Sequence, residues 1–264
     1  TMDSVREAQK DCDDVNILGI HLEGPFLSQG QRGAQAPEYI IEPNEENITA
    51  LLDKLNVPTR FENGYRVTDE AALDCAELAL SAQVNKSIVT DLANLEVRGV
   101  GISGKDGKLI TAAVKNPALG RVGQITQVDP KVLLTLLDAD FVPVVSPIAL
   151  GEDGAGLNCN ADDAARAVAE ALGAQHLVFL TDIGGILIDH HNSKTAVDRM
   201  DVRRAQELMD TGLIAGGMVP KVQSCLHAVE HGVGEVCILN GGTEHALLLG
   251  TLAPNSLGTT MTKD

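Results

Sequence analysis

The apolar and polar positions of the chain follow two different patterns, which meet near residue 47. Before that point one apolar run, 15–22, predicts a buried strand, and the Gly-, Pro-, Gln- and Ser-rich stretch after it shows little periodicity. From Ile48 onward, apolar residues recur at the spacing of helices and strands. We therefore expect residues 1–47 to form an N-terminal segment that differs in kind from a regular domain spanning 48–264.

The regular part predicts helices and strands in alternation. The predicted helices are one that begins at Ile48, then 68–80 with Thr68 as its N-cap, 84–95, 130–138, 162–172, 202–211, 218–231 and 244–250. The predicted strands are 99–103, 109–114, 122–128, 142–146, 176–181, 235–239 and 257–261, with a hairpin turn at 105–108 between the first two. Alternation of this kind indicates an α/β fold, in which helices cover both faces of a mostly parallel sheet.

Composition narrows the class of protein. Apolar residues make up 44% of the chain but aromatic residues only 2%, so Leu, Val, Ile and Ala must build the core. The formal net charge of −17 argues against a nucleic-acid-binding protein, because the chain would repel a phosphate backbone. The same charge means that a site for an anionic ligand needs locally concentrated Arg, Lys or helix N-termini.

The cysteines and the apolar runs indicate a cellular compartment. The five cysteines are odd in number and include no C-x-x-C pair, so we expect free thiols in a reducing cytoplasm rather than disulfides or a zinc cluster. No apolar run approaches the ~20 residues of a membrane span, and the first residues lack the apolar core of a signal peptide. We therefore expect a cytoplasmic protein that contacts neither membranes nor nucleic acid.

Two glycine turns in the second half of the chain are suited to binding phosphate. Residues 181–185, Thr-Asp-Ile-Gly-Gly, follow an apolar strand, and residues 216–218, Gly-Gly-Met, precede a helix that carries Lys221. Backbone N–H groups at such turns bind phosphate, and a lysine neutralises the group that is transferred. An ordinary turn explains either glycine pair alone, but the two pairs together with Lys221 favour a nucleotide site.

A second group of candidate residues lies earlier in the chain. Asn158 and Asn160 alternate in an extended segment, so both amides can point toward one small polar substrate. Asp162 follows at the start of a helix, where it either caps that helix or orients lysines of the site. Arg66 lies in a turn before a helix, where its guanidinium either holds a carboxylate through two hydrogen bonds or is simply solvated.

Residues 227–231, His-Ala-Val-Glu-His, match a metalloprotease pattern of two histidines and a glutamate on one helix. The sequence offers no strong candidate for a third metal ligand. We therefore expect a solvated helix face here and no metal site.

Several stretches, taken together, resemble the N-acetylglutamate kinases, which have the amino-acid kinase fold. The similarity covers about 48–264 in order. It implies a three-layer αβα sandwich, with a substrate lobe to about residue 174 and a nucleotide lobe at 175–264. It also implies ATP-dependent phosphorylation of N-acetyl-L-glutamate, the second step of arginine biosynthesis, by a homo-oligomer that is dimeric or hexameric. The matching stretches are 61–69 (Phe-Glu-Asn-Gly-Tyr-Arg-Val-Thr-Asp), 104–107 (Gly-Lys-Asp-Gly), 158–162, 180–187 and 216–221.

The resemblance also implies roles for individual residues. Lys221 would stabilise the transferring phosphoryl group, and Asp162 would organise the catalytic lysines. Arg66, Asn158 and Asn160 would bind N-acetyl-L-glutamate, and Mg²⁺ would arrive with ATP. The residues that would line the ATP site are Asp182, Ile183, Gly184, Gly185, Ile186, Leu187, Leu213, Ile214 and Ala215.

The N-terminal part departs from that family. N-acetylglutamate kinases open with a strand that ends in Lys-x-Gly-Gly and later carry His-Gly-Gly-Gly-Pro, and neither motif occurs in 1–47. Residues 15–43, which include His-Leu-Glu-Gly-Pro at 21–25, instead resemble N-acetylglucosamine-6-phosphate deacetylase. In that family the glutamate, here Glu23, is a metal ligand. The other ligands have no counterpart in this chain, so we expect no deacetylase activity.

We expect phosphoryl transfer to be impaired if residues 21–25 take the place of the His-Gly-Gly-Gly-Pro turn, because Leu22 and Glu23 then replace two phosphate-facing glycines. Loss of one such donor costs roughly 2.7–4 kcal/mol of transition-state stabilisation. A coupled ATP-consumption assay with N-acetyl-L-glutamate should therefore show low turnover, and ordinary turnover would contradict the expectation. Calorimetric binding with no turnover at all would indicate a non-catalytic binding protein instead.

Overall fold

A computed structural model of the chain describes residues 60–62, 65–181, 185–186, 197–214, 218–252 and 257–264. The expected N-terminal strand, the loop after it and the helix beginning at Ile48 lie outside these residues. So do some of the expected ATP-site residues, and for Arg66 only the backbone is described. The expected ATP-site residues outside the description are Asp182, Ile183, Gly184, Leu187 and Ala215.

The helices lie close to where the apolar spacing predicts them. None of the described helices is both long and apolar enough to cross a membrane. Most ends differ from the prediction by one or two residues, as is usual where terminal turns fray. The helices are α1 (Glu70–Glu77), α2 (Asn85–Asn94), α3 (Lys131–Asp138), α4 (Ala161–Leu172), α5 (Val202–Asp210), α6 (Met218–Glu230) and α7 (Ala246–Leu252).

The start of α1 corrects one prediction. Asp69, not Thr68, is the N-cap, since its side chain accepts a hydrogen bond of 2.8 Å from the backbone N–H of Ala72. Thr68 is fully buried, and its backbone N–H donates to Leu119 O instead. Both residue types can cap a helix, so the tertiary pairing of Thr68 decides between them.

A π-helical stretch, Leu78–Val84, joins α1 directly to α2, where the sequence predicts two separate helices. Asn85, the first residue of α2, is buried, and its side-chain amide donates to the backbone oxygens of Ile102 and Val144 at 3.1 and 2.8 Å. These two oxygens belong to different strands. The Asn85 side chain therefore attaches the start of α2 to two neighbouring strands. The π-helical turns before it place Asn85 where it can make both hydrogen bonds.

The strands combine parallel and antiparallel pairings, so the predicted α/β class is confirmed. The strands are β1 (Arg60–Glu62), β2 (Tyr65–Val67), β3 (Gly99–Ser103), β4 (Ile110–Val114), β5 (Val122–Val128), β6 (Val142–Ser146), β7 (Ile148–Gly151), β8 (Gly156–Cys159), β9 (His176–Thr181), β10 (Arg199–Asp201), β11 (Glu235–Asn240) and β12 (Thr259–Thr262). One sheet has the order β10-β12-β11-β9, β3 pairs in parallel with β6, and β4, β5, β8 and β7 close a small barrel that the sequence does not predict.

The hairpin turn predicted at 105–108 is wrong. These residues contain a short 3₁₀ turn, Asp106–Lys108, and the strands on either side of it do not pair with each other. β3 pairs with β6, whereas β4 pairs with β5 and β7. The Lys-Asp-Gly-Lys sequence is typical of a tight reversal, but the partner of each strand is decided by packing between distant parts of the chain.

Two hydrophobic clusters form the interior of the part of the chain that the structure describes, and α4 contributes to both. The N-terminal cluster, built on β4 and the barrel, includes Ala164 of α4 and residues such as Leu109 and Leu157. The C-terminal cluster, built on β9, β11 and α6, includes Ala169 of α4. Alanines at these positions allow α4 to approach both clusters closely, so this helix joins them.

The approach of Gly258 to β11 predicts a stability effect. Gly258 has a φ of 73°, and a Cβ there would overlap the carbonyl oxygen of Ile238 and lie 2.7 Å from Leu239 Cδ2. We expect Gly258→Ala to lower the free energy of unfolding by about 2–4 kcal/mol, measured by urea denaturation. Gly173→Ala is the matched control. Its φ is 60° with nothing within 4 Å of a Cβ, so only about 1 kcal/mol should be lost. Equal losses in both variants would contradict the predicted overlap.

Candidate functional site

Lys221 and Asp162 form an ion pair between the first turns of two helices. Lys221 Nζ lies 2.6 Å from Asp162 Oδ2, and the two side chains are 22% and 38% exposed. Lys221 belongs to α6, whereas Asp162 belongs to α4. A half-buried lysine needs such a partner, and both charges still reach solvent from which a ligand can approach.

The start of α4 explains why Asp162 is available for this contact. Asn160 is the N-cap of the helix, because its Oδ1 accepts a hydrogen bond of 3.0 Å from the N–H of Asp163. The alternative that Asp162 merely caps the helix is therefore wrong. The helix dipole favours carboxylates in this first turn, and the position still leaves Asp162 Oδ2 free to pair with Lys221.

Phe179 on β9 lies beneath the lysine. Lys221 Nζ is 5.3 Å from the centre of the Phe179 ring, which is 5% exposed. A cation at this distance from an aromatic face is attracted by it, so the ring helps to fix the position of the ammonium group. Sequence reasoning missed Phe179. The available signal was an aromatic residue in an apolar strand of a chain that has four phenylalanines in all.

Asn158 lies at the same strand–helix junction, two residues before the N-cap of α4. Its Nδ2 donates to Thr68 Oγ1 at 3.3 Å, and its backbone N–H donates to Arg121 O at 2.8 Å. Thr68 pairs with Gly120 and follows Val67, the last residue of β2, so the backbone of Arg66 lies two residues away along the chain. The fold thus gathers Asn158, Thr68 and the strand of Arg66 at one place.

Arg121 is a further residue of this region that sequence reasoning missed. Its Nη1 lies 2.5 Å from Asp153 Oδ2 and its Nη2 lies 3.3 Å from Glu70 Oε1. The hydrogen bond from Arg121 lowers the pKa of Asp153, and the same contact raises the pKa of the Arg121 guanidinium. Arg121 therefore ties the turn between β7 and β8 to the start of α1, beside Asn158 and Thr68. No sequence motif marks it.

Two of the expected ATP-site residues, Gly185 and Ile186, pack against the start of β12. The Ile186 N–H donates to Thr259 Oγ1 at 2.8 Å, and the Thr259 hydroxyl donates to Val197 O at 2.6 Å. The Ile186 side chain is 1% exposed and belongs to the C-terminal cluster. Its side chain therefore packs in the core and does not face a ligand.

Leu213 and Ile214, also expected at the ATP site, follow α5. Leu213 is 42% exposed, whereas Ile214 is 2% exposed within the C-terminal cluster. An exposed leucine next to an anchored isoleucine can provide an apolar surface for a flat ring. Their contact with a nucleotide stays a prediction.

Cys225 lies on α6 one helical turn after Lys221, and its reactivity measures how tightly the core packs next to the ion pair. It is fully buried, and burial raises its pKa to about 12, while the charge of Lys221 lowers that pKa and the charge of Asp162 raises it by smaller amounts. Because only the thiolate reacts, alkylation of Cys225 by iodoacetamide at pH 8 should be roughly a thousandfold slower in the folded chain than in urea. Mass spectrometry of the peptides measures this. The half-buried Cys75 is the internal comparison, and equal rates for the two cysteines in the folded chain would contradict the packing.

Comparison with protein families matches residues 36–240 to the amino acid kinase family. The acetylglutamate kinase of Caldanaerobacter subterraneus subsp. tengcongensis is 41% identical over 227 residues, which cover 85% of this chain and 76% of that enzyme. The acetylglutamate kinase of Carboxydothermus hydrogenoformans is 39% identical over 234 residues, which cover 84% of this chain and 80% of that enzyme. A crystal structure of a Streptococcus mutans UA159 protein is 28% identical, with a TM-score of 0.68 and 84% of each chain covered.

Proposed function

The chain belongs to the amino acid kinase family, and we propose that it transfers the γ-phosphoryl group of ATP to the side-chain carboxylate of N-acetyl-L-glutamate, a step of arginine biosynthesis. The expected αβα architecture of the amino-acid kinase type is confirmed by the family match and the solved relative. The observation that carries the proposal is the ion pair between Lys221 and Asp162 at the same junction as Asn158.

Lys221 is the proposed group that stabilises the transferring phosphoryl. Its ammonium stands in the first turn of α6, where the positive end of the helix dipole adds to its charge. Phosphoryl transfer spreads negative charge over the phosphoryl oxygens, so a fixed cation lowers the barrier more than it stabilises the reactants. Asp162 holds the ammonium in place through its 2.6 Å contact and keeps the lysine from folding onto other acceptors.

Asn158, Asn160 and Arg66 are the proposed contacts for N-acetyl-L-glutamate. The Asn158 amide donates to Thr68 on one side, which fixes its plane and leaves its oxygen available to an N–H donor such as the acetamido group. Asn160 uses its Oδ1 as the cap of α4, so its NH₂ group is the part proposed to reach substrate. Arg66 is proposed to hold a carboxylate through two parallel hydrogen bonds.

ATP is proposed to lie against the turn at 182–187 and the segment 213–215. The described part of the proposed site offers one usual donor to phosphate, Lys221 in the first turn of a helix, whereas the two glycine turns lie largely outside the described residues. Asp162 is occupied by Lys221, so Mg²⁺ is proposed to be held mainly by the nucleotide's own oxygens. Bound Mg²⁺ neutralises charge that develops on those oxygens. A cytoplasmic location is part of the proposal, because the proposed reaction consumes ATP.

The organisation of the chain is part of the proposal. We propose a substrate lobe that ends near residue 174 and a nucleotide lobe at 175–264, preceded by an N-terminal segment at 1–47. The two hydrophobic clusters, which meet at α4, support the division into lobes. The deacetylase resemblance of 15–43 and a dimeric or hexameric state stay predictions from the sequence.

Two variants that should change different kinetic constants test the proposal. We expect Lys221→Ala to lower kcat for ATP-dependent phosphorylation of N-acetyl-L-glutamate by roughly 10²–10³, because it removes charge stabilisation of the transition state. Asn158→Ala should instead raise the KM for N-acetyl-L-glutamate about tenfold, because it removes a contact made before and during transfer. Initial rates measured with a coupled assay give both constants.

Arg204→Ala is the matched control, because Arg204 forms a surface ion pair with Glu207 on α5, outside the proposed site. It should leave both constants unchanged. If turnover of the parent chain is too slow for a steady-state assay, single-turnover phosphorylation replaces kcat and calorimetric affinity for N-acetyl-L-glutamate replaces KM. Unchanged transfer in Lys221→Ala, or unchanged affinity in Asn158→Ala, would contradict the assigned roles.

A further inference from the structure

A histidine pair on α6 lies away from the ion pair of the candidate site, near the other end of the helix. His227 lies in the last turn of α6 and His231 directly follows its last residue, Glu230, so the two side chains, four residues apart, lie on one side of the helix end. Their rings stack, with centroids 3.8 Å apart and planes 8° from parallel. These are the two histidines of the His-Ala-Val-Glu-His stretch, for which the sequence alone offers no third metal ligand.

The fold supplies that third group from the neighbouring helix. Glu170 of α4 places its Oε1 2.8 Å from His227 Nδ1, and one ligand atom from each of Glu170, His227 and His231 lies within 4.8 Å of the others. Within the described part of the chain, this is the group of His, Cys, Asp and Glu side chains that lie close enough together to hold one metal ion. We propose that Glu170, His227 and His231 bind one divalent transition-metal ion, such as Zn²⁺, which joins α4 to α6.

The hydrogen bonds around the rings favour metal binding. The Nδ1–H of His231 donates to the backbone oxygen of His227 at 2.7 Å, so the Nε2 of His231 carries the lone pair and is free to coordinate. A backbone carbonyl that fixes the tautomer in this way is the usual outer partner of a metal-bound histidine. The lone pairs of two nearly parallel stacked rings do not converge, so His227 must turn out of the stack for both histidines to coordinate one ion.

Arg166 is the residue that the ion must accommodate. Its Nη1 lies 2.8 Å from Glu170 Oε1 and 2.8 Å from His227 Nδ1, so in the metal-free form it neutralises the carboxylate. The second carboxylate oxygen of Glu170 is available to a metal while Arg166 keeps its bond to Oε1. Arg166 then becomes an outer partner that orients the carboxylate, and its charge moderates the affinity.

The chemistry of the group selects the class of ion. Two imidazoles and one carboxylate suit Zn²⁺, Co²⁺ or Ni²⁺, whereas Mg²⁺ and Ca²⁺ prefer oxygen ligands alone. The side chain of His227 is 46% exposed, and a cleft of about 330 Å³ opens beside it and Arg166. An ion can therefore enter from solvent and complete its coordination with water.

A metal ion bound at this position would join helices α4 and α6. Glu170 lies two turns after Asp162 on α4, and His227 lies less than two turns after Lys221 on α6. The same two helices are thus joined by the ion pair at one end and by the proposed ion at the other. A bound metal would hold the helices at a fixed spacing and stabilise the folded state, independently of catalysis.

Calorimetric titration of the chelator-treated chain with Zn²⁺ tests the site. The parent chain should bind one ion, and saturating Zn²⁺ should raise the thermal midpoint by roughly 5 °C. His231→Ala and His227→Ala should each weaken binding at least tenfold, and Glu170→Gln should weaken it by roughly 10–100-fold. Circular dichroism verifies that each variant is folded, and His231→Gln replaces His231→Ala if the latter is not.

Two control variants separate this site from other metal ligands of the chain. His176→Ala removes a half-exposed histidine that pairs with Glu235 elsewhere on the surface, and should bind Zn²⁺ like the parent chain. His190→Ala/His191→Ala removes an adjacent histidine pair outside the described residues and should do the same. Co²⁺ bound in place of Zn²⁺ should show no thiolate charge-transfer band. Full affinity in His231→Ala and His227→Ala, or a thiolate band, would overturn the proposal.

Discussion

The ion pair between Lys221 and Asp162 is the contact on which the candidate site depends. It joins the first turns of α6 and α4, two helices that come from distant parts of the chain. Among the described residues, α4 contributes to both hydrophobic clusters and α6 to the C-terminal one, so the pair links the helix shared by the clusters to a helix of one of them. A shift of either helix by a fraction of an ångström would change where the lysine charge stands, and phosphoryl transfer is sensitive to such changes.

The junction between β8 and α4 concentrates the polar chemistry of the site. Within five residues it provides Asn158, whose amide bonds to Thr68, the N-cap Asn160, and Asp162 as the partner of Lys221. Each of these side chains satisfies a local structural need, and all three are proposed to take part in the site. The carboxyl end of a strand followed by a helix N-terminus is where α/β folds place ligands, because backbone N–H groups converge there.

Local patterns predicted the elements of the fold well, because apolar spacing and turn residues act within a few positions of the chain. They failed where long-range pairing decided the result. The Lys-Asp-Gly-Lys sequence at 105–108 is typical of a hairpin, yet β3 pairs with β6 and β4 pairs with β5. Thr68 is an ordinary capping residue by type, yet its backbone pairs with Leu119 and Asp69 takes the cap. Arg121 and Phe179 carried no motif, since their roles come from partners far away in sequence.

The sequence by itself determined the family and the succession of most helices and strands, and it predicted which residues bind phosphate and carboxylate. Residue type and spacing are enough for these, because they act locally or belong to motifs. The tertiary structure alone decided which charges meet. It pairs Asp162 with Lys221, brings Glu170 of α4 to the histidines of α6, and leaves Ile186 and Ile214 in the core. These contacts depend on how α4 packs between two clusters, and that packing is a property of the whole folded chain.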